Sequence, residues 1–193
     1  MGAMPRWEPD GRERLVAAAL QLFSEQGYDE TTVAEIAERA GLTKSTFFRH
    51  FPDKREVLAA GQATLSRLLV EGITSAPPQA TPLTAVAAGL ERAASAMGPF
   101  NRELAPRLQA AIATSTELQE RYALKQVGFV AAMVDALRER GIPDPAASVA
   151  AELGALAFKQ AYAAWVEADE DQDLAALSLA ALERLRATAA ELA

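Results

Sequence analysis

Apolar residues recur at helical spacing along nearly the whole chain, and β-branched runs and Asn-Gly hairpin signals are absent. From Gly11 to Gln26, Leu15, Ala18, Ala19, Leu22 and Phe23 fall on one helical face, and Gly27 stops the segment. Thr32 opens a short helix. With Glu35 it has capping-box spacing, in which the hydroxyl accepts a backbone N–H and the carboxylate reaches back to the cap. Val33, Ile36, Ala37 and Ala40 form its apolar face. Gly41 suits a left-handed turn and Leu42 plugs the angle between helices. Thr43 caps a third helix that runs only to His50. Phe51-Pro52-Asp53 breaks it, and Asp53 with Glu56 predicts the start of a long helix from Lys54 to about Thr74.

Beyond the loop SAPPQATP, Pro82 fits a first helical position. The remaining segments read as Leu83–Met97, Pro106–Thr114, Glu117–Arg140, Pro145–Ala168 and Leu174–Leu192, with Pro106 either starting or kinking its helix. The expected fold is all-α with about nine helices. A three-helix helix-turn-helix head, residues 1–58, is joined by a long helix to a larger α-helical body, residues 59–193. A head of that size is marginal alone. It is expected to pack on the following helix through Phe47, Phe51 and Val57.

Composition narrows the chemistry. The absence of cysteine excludes disulfides, thiolate metal sites and a cysteine nucleophile, and one histidine, His50, argues against a histidine-built metal site or triad. No metal or cofactor is expected. The acidic stretch Glu167–Asp173 lacks the glycine and spacing of a calcium loop. No apolar run suits a membrane span and the N-terminal residues do not read as a secretory signal, so a cytoplasmic protein is expected.

The net charge of −7 opposes nucleic-acid binding at long range, but its distribution does not. Between Arg39 and Arg55, Arg39, Lys44, Arg49, Lys54 and Arg55 oppose Asp53 alone. That window carries +4 and the remainder −11, a basic patch on an acidic body. Thr43, Lys44, Ser45 and Thr46 stand at the N-terminus of the third helix, where side chains of a helix-turn-helix meet base edges. Phe48, Arg49, His50 and Lys54 follow and suit the phosphate backbone. Phe47 and Phe48 cannot share a face, so Phe48 is expected outside and Phe47 in the core. Arg39 and Arg55 read equally well as ordinary surface charges.

The run LFSEQGYDETTVAEIAERAGLTKSTFFRHFPDKREVL, within residues 11–58, resembles the N-terminal domain of TetR-family transcriptional regulators, in order and without gaps. The resemblance implies that Thr32, Phe48, His50 and Lys54 touch phosphates, and that Lys44, Ser45, Thr46 and Arg49 meet the major groove of a palindromic double-stranded DNA operator. Phe48 stands where many members have tyrosine and cannot donate a hydroxyl. Packing on sugar or a thymine methyl is the alternative.

The resemblance further implies a homodimer joined by the last two helices, and a body that binds a small-molecule inducer. Val149, Leu153, Leu156 and Ala157 in one segment, with Leu174, Leu177, Leu179, Leu182 and Leu185 in the other, fit such an interface, although they equally fit packing within one subunit. Met97, Phe100, Leu104, Leu108, Phe129, Met133, Phe158, Tyr162 and Trp165 are the candidate ligand-lining residues, with simple core packing as the alternative for each. Lys159 either orients an anionic ligand or snorkels to solvent. The expected function is a repressor released from its operator by ligand. Competing readings are a helical protein-interaction module and an enzyme with an all-helical pocket.

Overall fold

A computed structural model describes residues 11–57, 62–168 and 172–192. Among them every regular element is helical: α1 Gly11–Gln26, α2 Val33–Arg39, α3 Lys44–His50, α4 Gln62–Ser75, α5 Pro82–Ala94, α6 Pro99–Thr114, α7 Thr116–Glu139, α8 Asp144–Glu167 and α9 Leu174–Glu191. A single 3-10 turn, Lys54–Val57, precedes α4. No helix among the described residues is long and apolar enough to cross a membrane.

Local signals placed most boundaries. Thr81 accepts the Thr84 N–H at 3.2 Å and Pro82 follows at the first helical position of α5. Pro143 and Asp144 open α8 after Gly141, whose φ is 79°. Two expectations differ. Lys54 begins a tight turn, not a long helix, because Asp53 Oδ1 accepts both the Arg55 N–H at 2.8 Å and the Glu56 N–H at 3.1 Å and winds the chain into a 3-10 turn. The expected continuation, and with it the boundary at 58/59, falls on residues 58–61, outside the described residues. Helix α6 starts at Pro99, not Pro106, and runs through Pro106. Pro106 lies exposed while Leu104, Ala105 and Ala111 are buried, so apolar burial on both sides of the ring offsets the lost N–H bond.

The described residues divide into two compact units, one from 1–60 with 104–120 and the other from 61–103 with 121–193. In the first unit, Leu15, Phe23, Ile36, Phe47 and Val57 are fully buried, and Leu118 joins the buried set from the start of α7. Arg55 lies 3.9 Å from Glu117 across this unit.

In the second unit α4 and α5 cross so closely that a Cβ on Gly72 would lie 2.5 Å from the Ala88 carbonyl and 2.6 Å from Gly89 Cα. The alanines of α8, among them Ala147, Ala151, Ala157 and Ala161, face this unit's own core together with Leu69, Ile73, Leu90 and Met133. Ala157 is therefore a core residue of the subunit, buried because the small side chain lets neighbouring helices approach. Arg140 donates to the carbonyls of Ile73, Thr74, Ala76 and Pro77 at 2.6–3.2 Å, closing the C-terminal end of α4 from the far side of the sequence.

Candidate nucleic-acid interface

The interface is built from three caps and two inward rings. Thr32 Oγ1 accepts the Glu35 N–H at 3.3 Å while Glu35 Oε2 accepts the Thr32 N–H at 2.7 Å, so both halves of the capping box are present. The Thr32 hydroxyl beside Glu35 holds that carboxyl below its usual range. At the turn, Gly41 has φ 65°, its N–H reaches Glu38 O at 2.9 Å, and the Leu42 N–H reaches Ala37 O at 2.8 Å. Arg14 donates from α1 to the Ala40 carbonyl, and a Cβ on Gly41 would approach that guanidinium to 2.8 Å. Thr43 then caps α3, accepting the Thr46 N–H at 3.1 Å.

Phe47 and Phe51 are 0% and 2% exposed and anchor α3 from below. Phe48 is 49% exposed, and its ring meets Phe47 edge-on at 5.5 Å. With the inward face fixed, Lys44, Ser45, Phe48, Arg49 and His50 are exposed, Thr43 is exposed at the cap and Thr46 is half-buried. Thr32 is exposed at the start of α2. The side chains expected to read bases thus share the open side of one short helix.

The basic window is less free than its count. Arg39 makes two hydrogen bonds to Glu25, at 3.2 and 3.0 Å, holding that carboxyl low. Arg55 likewise grips Asp53 at 2.6 and 3.0 Å and depresses it. Lys54 faces inward: its ammonium donates to the carbonyls of Tyr28 at 2.6 Å, Thr31 at 3.0 Å and Asp29 at 3.1 Å, and lies 4.3 Å from the centroid of the Tyr28 ring. An ammonium has three donors, and each finds a carbonyl here. Lys44 and Arg49 are the cations of the window with neither an acidic partner nor a carbonyl partner among the described residues. The inward roles of Arg14, Tyr28 and Lys54 join residues 23 to 26 positions apart, and no sequence spacing announces them.

The candidate ligand-lining residues do not all come together. Phe129, Phe158, Tyr162 and Trp165 form a continuous ring series with centroid separations of 5.7, 6.3 and 5.9 Å along α7 and α8. Met133 is buried and Met97 packs half-buried in the same cluster. Leu104 and Leu108 belong to the other compact unit, and the Phe100 side chain lies outside the described residues. Burial pushes the Tyr162 phenol up to about 12. Lys159 is exposed.

Comparison with known proteins agrees with this geometry. The model of the bacterial regulatory proteins, tetR family, matches residues 15–60, which take in α1 from Leu15 onward, α2, α3 and the Lys54 turn. The HTH-type transcriptional regulator TcmR of Streptomyces glaucescens is 37% identical over 75 residues, 39% of this chain and 33% of the relative. The chain thus matches between 16% and 37% of the length of these curated relatives. Among solved structures, SmeT in its triclosan complex superposes with TM-score 0.59 at 23% identity, covering 93% of this chain and 91% of that one. A transcriptional regulator from Aquifex aeolicus VF5 gives TM-score 0.56 at 20% identity over 92% and 99% of the two chains. Helices α2 and α3 around Gly41 have helix-turn-helix geometry, within the stretch that is similar to HTH-type transcriptional regulators. The likeness to bacterial regulatory proteins of the tetR family is thus carried by residues 15–60.

Proposed function

We propose that the chain acts in the cytoplasm as a homodimeric repressor, with residues 1–58 as the DNA-reading head and 59–193 as the ligand-binding and dimerisation body. The observation that carries this is α3. It is anchored by Phe47 and Phe51 and presents Lys44, Ser45, Phe48 and Arg49 outward behind the Thr43 cap. Lys44, Ser45, Thr46 and Arg49 meet base edges in the major groove. Thr32, Phe48 and His50 lie against sugar and phosphate, which set register without reading sequence.

A second copy is expected on the α8–α9 face. Val149 and Leu156 are 59% and 42% exposed there. A groove of about 670 Å³ is lined by Leu83, Ala87, Val149, Leu153, Leu179 and Leu182, together with the Glu183–Arg186 pair. Such a self-complementary face gives a two-fold dimer whose heads suit half-sites about 34 Å apart on a palindromic operator.

The ring series from Phe129 to Trp165 supports a small apolar, ring-bearing inducer in the body, and SmeT, which shares the fold, is seen with triclosan. Ligand releases DNA only if it binds the non-DNA state better. Moving occupancy from 99% to 1% takes about 5.5 kcal/mol of differential affinity.

The test is selection of duplexes from a random pool, followed by a salt titration. Operator binding predicts a steep loss of affinity with salt, with a slope of roughly −0.9 per phosphate contact. Salt-insensitive association without DNA would instead mark a helical protein-interaction module.

A further inference from the structure

We propose that Lys54 is a positioning residue of the head, which sets the start of α2 by gathering the carbonyls of the α1–α2 loop and does not itself contact phosphate. The inference rests on the DNA-reading assignment of the head. The loop between α1 and α2 ends at Thr31, immediately before the Thr32 cap. Two of its internal bonds are short-range: Thr31 Oγ1 donates to Gly27 O at 2.7 Å and the Thr31 N–H to Tyr28 O at 3.3 Å. Lys54, arriving from beyond α3, adds three donors on three carbonyls of the same loop. Its ammonium also faces the Tyr28 ring, itself buried edge-on against Phe23 at 5.0 Å. The carbonyls converge on one point from three residues. A compact ammonium with rotatable donors satisfies that geometry, whereas the planar fork of arginine does not.

The consequence is mechanical. Thr32 presents the N-terminus of α2 while α3 presents the base-reading side chains. Their separation must match the spacing between a phosphate and the groove floor. Lys54 follows α3 by one short break and holds the loop that precedes Thr32, so it fixes one relative to the other. A lysine reaching for phosphate would have to release all three carbonyls first.

The experiment compares Lys54→Met and Lys54→Arg with the wild type in the full chain. It uses a duplex selected from a random pool by the wild-type protein, and a random duplex as reference. A positioning role predicts about tenfold weaker binding to the selected duplex for both variants, an unchanged salt slope and unchanged random-duplex binding. Hydrogen exchange at residues 31–36 of the free protein should also quicken severalfold. That arm reads the loop whether or not any duplex binds, so a failure of the DNA-reading assignment is seen separately in the wild type. If Lys54→Met does not fold, Lys54→Arg, which keeps the charge, decides. A salt slope reduced by about 0.9 with equal losses on both duplexes for Lys54→Met, and near wild-type binding for Lys54→Arg, is the signature of a direct phosphate contact and overturns the proposal. Unchanged affinity and exchange in both variants also overturns it.

Discussion

Lys44 and Arg49 are the cations of the Arg39–Arg55 window that neither a described acid nor a described carbonyl holds, because Glu25 takes Arg39, Asp53 takes Arg55 and the loop carbonyls take Lys54. Their positions differ in consequence. Lys44 stands in the first turn of α3, where a side chain reaches base edges. Lys44→Ala is expected to cost roughly 1–3 kcal/mol on the preferred duplex and little on random sequence. Equal losses on both in a fluorescence-anisotropy titration would remove its base-reading role. Thr32 acts through the backbone. Thr32→Ala removes the cap and strands the Glu35 N–H, for an expected loss of about 1 kcal/mol in denaturant unfolding, and Thr32→Ser should restore most of it. The carboxyls of Glu25, Glu35 and Asp53 are all held below their ordinary values, by Arg39, Thr32 and Arg55 in turn. Depressed folded values mean that this stabilisation is complete above the unfolded values of 4.5 and 3.8 and fades as pH falls through the folded ones. The unfolding midpoint should therefore drop below about pH 4.5. Asp53→Asn, which can still cap, should flatten part of that acid limb.

At the scale of elements, helix ends and helix crossings follow different logic. Cations from distant sequence close several of the ends. Arg14 holds the Ala40 carbonyl, Lys54 the loop after α1, Arg102 the Ala168 carbonyl after α8, and Arg140 four carbonyls at the end of α4. Orphan carbonyls and the negative end of the helix dipole favour positive charge at these places. The crossing of α4 and α5 instead depends on the absence of side chains. Gly72→Ala would press a methyl into backbone of α5 that has no rotamer to yield, so the loss should lie near the top of about 1–3 kcal/mol. Gly128→Ala makes the opposite prediction. Nothing lies within 4 Å of its Cβ position in α7, so a gain of about 0.5–1 kcal/mol from helix propensity is expected. Thermal unfolding of the two variants side by side checks both signs.

For the whole molecule, the proposed dimer is where specificity multiplies. Burial of the α8 alanines inside the subunit leaves Val149 and Leu156 outside, Val149 in the wall of the apolar groove. Val149→Glu with Leu156→Glu is expected to give a monomer by light scattering with helical content retained. Operator affinity should then fall by about 10²- to 10⁴-fold, because two linked heads bind with the advantage of effective concentration. A dimer that survives the double change would move the interface elsewhere. The excess of acid outside the reading window opposes non-specific attraction to nucleic acid, which under the proposed function would leave α3 and the half-site spacing to select the operator.

Features that depend on neighbours a few residues apart are legible in the chain's local order. The caps at Thr32 and Thr43, the turn at Gly41 and the inward and outward phenylalanines of α3 follow from local hydrogen bonding and helical period, whereas the spacing of Asp53 and Glu56 does not separate a 3-10 turn from a helix start. Tertiary structure alone decided what depends on distant partners. It turned Lys54 inward, because the carbonyls it meets lie 23 to 26 residues earlier in the chain. It paired Arg39 with Glu25, 14 residues away, and so trimmed the basic window to fewer free charges than counting suggests. It carried α6 through Pro106, since burial on both sides outweighed one lost bond. It also placed the alanines of α8 in the core of their own subunit, a choice that helical period does not make, because period defines faces without naming what covers them.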